Sequence, residues 1–122
     1  MVKKIGVDIV ENQRVASLYK KYGDKFVKRI LTEQEFQIFQ GKKNQVGYLA
    51  SRWAGKEAVG KALSSGLSCG IKNIEILNHE RGQPYVVLYN EALARLKEIN
   101  CNKIEISISH ERLFSVAFVI TL

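Results

Sequence analysis

The segment KKIGVDIVE (Lys3 to Glu11) alternates. Ile5, Val7 and Ile9 share one face and Gly6, Asp8 and Val10 the other, which predicts a strand. Asn12 follows as a helix cap, and Val15, Leu18, Tyr19 and Tyr22 recur at helical spacing until Gly23 stops the helix. Residues 24–31 add an amphipathic turn or two through Phe26, Ile30 and Leu31. Thr32-Glu33-Gln34-Glu35 is a capping box opening a short helix with Phe36 and Phe39. Gly41 to Asn44 reads as a loop. A long helix is expected from about Val46 to Leu63, ended by Ser64-Ser65-Gly66.

Beyond it, Lys72 to Leu77 predicts a strand, Glu80 to Pro84 a turn and Tyr85 to Leu88 the returning strand. Asn90 stands as the cap of a helix carrying Leu93, Leu96 and Ile99. Ile104, Ile106, Ile108 and His110 alternate, Glu111-Arg112-Leu113 turn, and Phe114, Val116, Phe118 and Ile120 alternate back as a hairpin. The order β-ααα-ββ-α-ββ predicts an α+β fold with antiparallel pairing. Residues 1–122 suit a single domain, with one proline and no linker-like run.

Two features of the long helix need more than packing. Val46, Leu49, Ala50, Trp53 and Ala54 form an apolar stripe, and the same line continues into Glu57, Gly60, Lys61 and Ser64. Gly55, Ala58, Val59, Ala62 and Leu63 lie opposite and are also apolar, which leaves Arg52 and Lys56 for a third, solvated face. Glu57 and Lys61 are either an exposed ion pair one turn apart or charges on a core-facing line, where they need a partner, a metal or a ligand. Gly60 beside them leaves room for close approach. Asp8 poses a similar choice. Either it faces water on an edge strand, or it joins a second carboxylate around Mg²⁺, which takes few carboxylates and shares phosphate oxygens. His110 is either a structural hydrogen-bonding group or a site residue, and His79 reads as surface.

Charge and cysteines narrow the function. The formal net charge of +7 favours an anionic partner, but the basic residues are spread and show neither a zinc-finger spacing nor an aromatic RNA-binding motif. No apolar run approaches the roughly 18 residues that span a membrane. The N-terminus reads as a strand rather than a signal peptide, because Asp8 and Glu11 interrupt it. Cys69 and Cys101 lack disulfide or metal spacing and read as reduced thiols of a cytoplasmic protein.

Taken together, IGVDIVE with Arg14, RILTEQE (Arg29 to Glu35), LASRWAGKEAVGKAL, RGQPYV and SISHER resemble, in order and along nearly the whole chain, the holo-[acyl-carrier-protein] synthases, the small 4′-phosphopantetheinyl transferases. The third segment is similar to the most diagnostic motif, R-[F/W]-A-x-K-E-A-x-x-K-A. Gly55 departs from the family's usual alanine, and Ser64-Ser65-Gly66 from its usual G-T-G.

The resemblance implies the phosphopantetheinyl transferase fold, an antiparallel sheet packed on a long central helix. It implies transfer of phosphopantetheine from coenzyme A to a serine of apo acyl carrier protein, in fatty acid biosynthesis, with release of adenosine 3′,5′-bisphosphate. Asp8 and Glu57 would be the Mg²⁺ ligands and Lys61 would contact the pyrophosphate, these three forming the catalytic set. Arg52, His110 and the Ser64-Ser65-Gly66 loop would contact the nucleotide end or its 3′-phosphate, with Gly82 and Pro84 beside the adenine. Arg14, Lys21, Lys28 and Arg29 would face the acidic carrier protein. The family is homotrimeric, with active sites between subunits. The general base stays open between a metal-polarised water, Glu57 and another carboxylate. The competing reading is a small basic nucleic-acid-binding module, which explains the charge but leaves Asp8, Glu57 and Lys61 without a role.

Overall fold

In the computed structural model, which describes residues 1–122, the first alternating segment is strand β1 (Lys4–Glu11). It pairs antiparallel with β5 (Phe114–Thr121), which pairs with β4 (Ile104–His110), in the order β1-β5-β4. Between β1 and the first hairpin lie α1 (Asn12–Tyr22), α2 (Asp24–Ile30), α3 (Glu33–Gln40) and the long α4 (Gln45–Ala62). The hairpin pairs β2 (Ile74–Asn78) with β3 (Pro84–Leu88), and α5 (Asn90–Glu98) leads to β4. The expected α+β order holds with one refinement. Residues 24–31, read as a turn or two, form a helix of their own, because Gly23 (φ 61°) breaks the chain sharply enough to start α2.

Helix α4 is central because its small residues let other elements close on it. A Cβ on Gly6 of β1 would overlap the Ala58 carbonyl oxygen, so only glycine allows this approach. Ala54, Ala58, Val59, Ala62 and Leu63 pack with Ile74, Ile76, Ala117 and Val119 in one core. Tyr48, Leu49 and Ala50, on the first half of α4, pack with Val15, Val27, Ile30, Leu31 and Phe39 in a second. A helix shared by two cores is buried on most of its circumference, and this corrects the sequence reading in two places.

Arg52 and Lys56 are not on a solvated face: they are 5% and 0% exposed. The Lys56 ammonium can be buried because Glu35 Oε1 and the Ile30 carbonyl each accept from it at 2.7 Å. Conversely, the line continuing through Trp53, Glu57 and Lys61 is the part of α4 that reaches solvent. Trp53 and Glu57 are half-buried and Lys61 is exposed. The apolar stripe that begins this line packs under α1–α3, and the line emerges where those helices end.

The helix ends differ from expectation in two of three caps. Thr32 forms its capping box with Glu35 as expected. Asn12 is inside α1 and does not cap it. Its amide donates to the Glu111 and Arg112 carbonyls and accepts from Ser115 Oγ, fastening α1 to the β4–β5 turn. Asn90, at φ 48°, does not cap α5 either and donates to Asn73 Oδ1. The Asn12 amide oxygen, which a cap would offer to local N–H groups, accepts from Ser115 Oγ instead, and the Asn90 amide turns to Asn73.

The outer face of the sheet is apolar along β1 and β5. Gly6 faces α4, so Ile5, Val7 and Ile9 face away and are 64%, 52% and 63% exposed. In register with Val7 stands Phe118, 47% exposed. A face of this composition is unusual on an isolated chain.

Candidate active site

Asp8 lies on the α4-facing side of β1, opposite Ala117 of β5. Its carboxylate is 18% exposed and pairs with the Lys61 ammonium, 3.2 Å from Oδ1; the same nitrogen donates to the Val7 carbonyl at 2.9 Å. Glu57, one turn before Lys61, accepts instead from Trp53 Nε1 at 3.3 Å. The Arg14 guanidinium lies over the Trp53 ring, 5.7 Å from its centroid. Asp8, Glu57, Arg14, Trp53 and Glu11 line one open cleft of about 560 Å³. The juxtaposition follows from Gly6: close seating of β1 on α4 sets Asp8 beside the last turns of the helix.

The donor set suits a hard divalent cation. No three His, Cys, Asp or Glu side chains converge anywhere, so of the cleft's carboxylates Asp8 and Glu57 would be the protein's share. Mg²⁺ is bound in this manner, through one or two carboxylates, with waters and substrate oxygens completing the shell. The Lys61 ammonium already takes up a cation's position against Asp8 and the Val7 carbonyl.

A second open cleft, of about 590 Å³, brings together Arg52, Gly82, Pro84 and His110 with Tyr48, Asn78, Tyr85 and Lys42. The Arg52 guanidinium lies over the Tyr48 ring, 4.4 Å from its centroid, and Nε donates to the Ile76 carbonyl at 3.1 Å. The buried Tyr48 hydroxyl has no hydrogen-bond partner. Burial pushes its pKa up to about 12, with Arg52 opposing and Glu35 adding to the shift. His110 ends β4, exposed at the cleft rim. His79 is on the surface as expected, stacked on Tyr85 with centroids 4.3 Å apart.

The two groups of expected site residues therefore sit in separate clefts of one chain. Residues 52 and 57 project about 140° apart around a helix of 3.6 residues per turn. Ser64, Ser65 and Gly66 follow the C-terminus of α4 and line neither cleft. Gly60 accommodates this loop: a Cβ there would overlap the Gly66 carbonyl oxygen. The room it was expected to leave for a ligand is filled by the protein's own backbone. Of the residues expected to dock the carrier protein, Arg14 stands in the first cleft, while Lys21, Lys28 and Arg29 are exposed along α1 and α2.

Sequence reasoning passed over three groups. Trp53 orients Glu57, and a tryptophan on a line leading to two charges was the available signal. Asn78 carries no signal of its own. Glu35 was read as a capping residue only, yet it anchors a buried network. Its Oε1 accepts from Thr32 N at 2.8 Å and Lys56 Nζ at 2.7 Å, while Oε2 accepts from Ile76 N at 2.8 Å. Desolvation lowers the Lys56 pKa and Glu35 opposes it. Glu75 accepts from Thr32 Oγ1 at 2.6 Å and Tyr89 OH at 2.8 Å, and this bond, before burial, raises the Tyr89 pKa.

One cleft thus sets the lysine-paired Asp8 beside a second carboxylate, and the other presents a guanidinium, a group suited to phosphate. The model of the 4′-phosphopantetheinyl transferase superfamily matches residues 4–119, and the chain belongs to that superfamily. It is 43% identical over 118 residues to holo-[acyl-carrier-protein] synthase of Shewanella amazonensis, covering 95% of this chain and 94% of the relative. The structure matches holo-[acyl-carrier-protein] synthase of Neisseria meningitidis with a TM-score of 0.93 and 35% identity, covering 100% of this chain and 99% of that one. It matches the Helicobacter pylori holo-[acyl-carrier-protein] synthase in complex with coenzyme A with a TM-score of 0.82 and 29% identity, over 97% and 99% of the two chains. The chain is a phosphopantetheinyl transferase. No helix is long and apolar enough to cross a membrane.

Proposed function

We propose that the chain transfers the 4′-phosphopantetheine arm of coenzyme A to a serine of apo acyl carrier protein, serving fatty acid synthesis in the cytoplasm. The observation that carries this reading is Asp8 and Glu57 lining one cleft with Arg14, with the Lys61 ammonium bonded to Asp8 Oδ1. The serine Oγ bonds to the pantetheine-side phosphorus and the bond to the bridging pyrophosphate oxygen breaks. Adenosine 3′,5′-bisphosphate leaves. Asp8 and Glu57 would hold Mg²⁺, which when bound would supply charge neutralisation for the pyrophosphate. Lys61 places a point charge against the same group. The serine proton has acceptors nearby, since Glu57 and Glu11 carry cleft carboxylates that Lys61 does not engage. Arg14 receives the acidic carrier protein beside the reacting atoms, with Lys21, Lys28 and Arg29 extending the basic surface.

The second cleft takes the nucleotide, with Arg52 and His110 toward phosphate and Gly82 and Pro84 along the base. One chain holds these clefts apart, so the complete site combines the first cleft of one copy with the second of another. A homotrimer joined through the exposed Ile5, Val7, Ile9 and Phe118 face satisfies this, and it also removes that apolar face from water.

Incubation of apo carrier protein with coenzyme A and Mg²⁺ adds the mass of one phosphopantetheine arm, read by mass spectrometry. Asp8→Ala and Glu57→Ala each abolish the addition while circular dichroism stays native. Normal turnover in either variant removes that residue from the metal site. Salt-sensitive binding to generic nucleic acid without transfer would favour the competing reading.

A further inference from the structure

Asn78 ends β2 at the second cleft and uses both ends of its amide. Oδ1 accepts from Arg52 Nη2, and Nδ2 donates to the Gly82 carbonyl at 2.8 Å. Arg52 Nε is held at 3.1 Å by the carbonyl of Ile76, two residues earlier on the same strand. Ile76 is itself fixed, because its N–H donates at 2.8 Å to the buried Glu35. The remaining nitrogen, Nη1, has only a long contact of 3.4 Å to Ser51 Oγ. A guanidinium carries five donors in a rigid fork, so donors remain for an anion in the cleft that Arg52 lines. The fork is thus clamped along β2 at Ile76 and Asn78, and the second clamp also grips the turn between β2 and β3.

We propose that Asn78 is a positioning residue for the nucleotide end of coenzyme A: its amide locks the Arg52 fork and the turn carrying Gly82 into one rigid recognition unit. This rests on assigning the second cleft to the nucleotide. Only a side chain with both an acceptor and a donor makes the two bonds. Aspartate would keep the Arg52 bond, set an oxygen against the Gly82 carbonyl oxygen and offset the charge that attracts phosphate. Alanine loses both bonds and frees guanidinium and turn to move independently.

The test compares Asn78→Ala, Arg52→Lys and the double variant in steady-state transfer, with thermal unfolding as a control. Asn78→Ala raises KM for coenzyme A about tenfold, the loss of roughly one hydrogen bond to a charged group. It leaves kcat, KM for carrier protein and the unfolding midpoint near their original values, because Asn78 is exposed and touches neither the first cleft nor a core. Asn78→Asp also raises KM for coenzyme A and serves if the alanine variant folds poorly. In the Arg52→Lys background, Asn78→Ala loses most of its effect, since both changes act on one fork. An unchanged KM in Asn78→Ala, or an equal effect in both backgrounds, overturns the proposal. If Arg52→Lys itself leaves KM for coenzyme A unchanged, the nucleotide assignment of the cleft fails, and the positioning role with it.

Discussion

The Lys61 ammonium bonds Asp8 Oδ1 at 3.2 Å, across from α4 to β1, and not Glu57 one turn before it on its own helix. The two charges on the helix therefore have separate partners, Trp53 for Glu57 and β1 for Lys61. In the free chain Lys61 neutralises one of the carboxylates proposed to hold Mg²⁺, so lysine and metal compete at Asp8. Lys61→Met should tighten Mg²⁺ binding in the absence of coenzyme A by about tenfold, the order expected for removing a unit charge beside a divalent ion. Transfer should fall at the same time through loss of the pyrophosphate contact. Isothermal titration reads the first effect without relying on activity, and weaker metal binding in Lys61→Met would refute the competition.

The buried pair of Lys56 and Glu35 gives a stability prediction. Lys56→Met leaves Glu35 charged and fully buried with only backbone donors. Urea unfolding should show a loss of about 3–5 kcal/mol. Lys56→Met combined with Glu35→Gln should lose less than the single lysine change, because no unpaired charge remains. A double variant weaker than both single variants would mean that the pair stabilises the fold by its own attraction.

Tyr48 predicts the alkaline limb of stability. Its folded pKa is raised from 10.0 to about 12. The folded phenol keeps its proton while the unfolded chain releases it, so this contribution is intact below pH 10 and is lost as pH rises toward 12. The loss amounts to about 2–3 kcal/mol at most. Tyr48→Phe should flatten that limb. At neutral pH it should cost nothing or stabilise by about 1 kcal/mol, since the hydroxyl is buried without a partner. Chemical denaturation of both proteins across pH 8 to 11 separates the two effects.

The outer sheet face predicts assembly. Phe118→Glu places a charge opposite Val7 in the centre of the exposed apolar patch. Sedimentation should show dissociation of the proposed trimer to monomers with native circular dichroism, and transfer should be lost if the complete site needs clefts from two copies. An active monomer would show that one chain suffices.

Arg14 predicts the carrier surface. Arg14→Glu should raise KM for carrier protein strongly, more so at low salt, with coenzyme A affinity unchanged. An unaltered KM would place docking elsewhere, along α2.

Much of the fold could be read from local pattern. The alternation of Ile5 to Val10, the Thr32 capping box and the breaks at Gly23 and Gly82 are determined by neighbours in sequence, so the elements stand within a few residues of expectation. The proposed catalytic set could be named for a different reason: Asp8, Glu57 and Lys61 lie within motifs whose order along the chain resembles the family's. Burial around α4 could not be read in this way. Arg52 and Lys56 look solvent-bound on a helical projection, and only the placement of α3 and β2 supplies the acceptors that allow their burial. Asn12 and Asn90 carry good local capping chemistry, but their amides bond instead to the β4–β5 hairpin and to Asn73.

What the sequence determined by itself is thus the set of elements, the family and the candidate residues for phosphate. What only the tertiary structure decided is who partners whom. Lys61 reaches Asp8 because Gly6 lets β1 close onto α4, and Arg52 is clamped because β2 ends at Asn78. Arg52 and Glu57 are parted because a helix turns about 100° per residue. Periodicity reports which residues share a face, whereas partnership depends on contacts between segments distant in sequence, which local pattern does not encode.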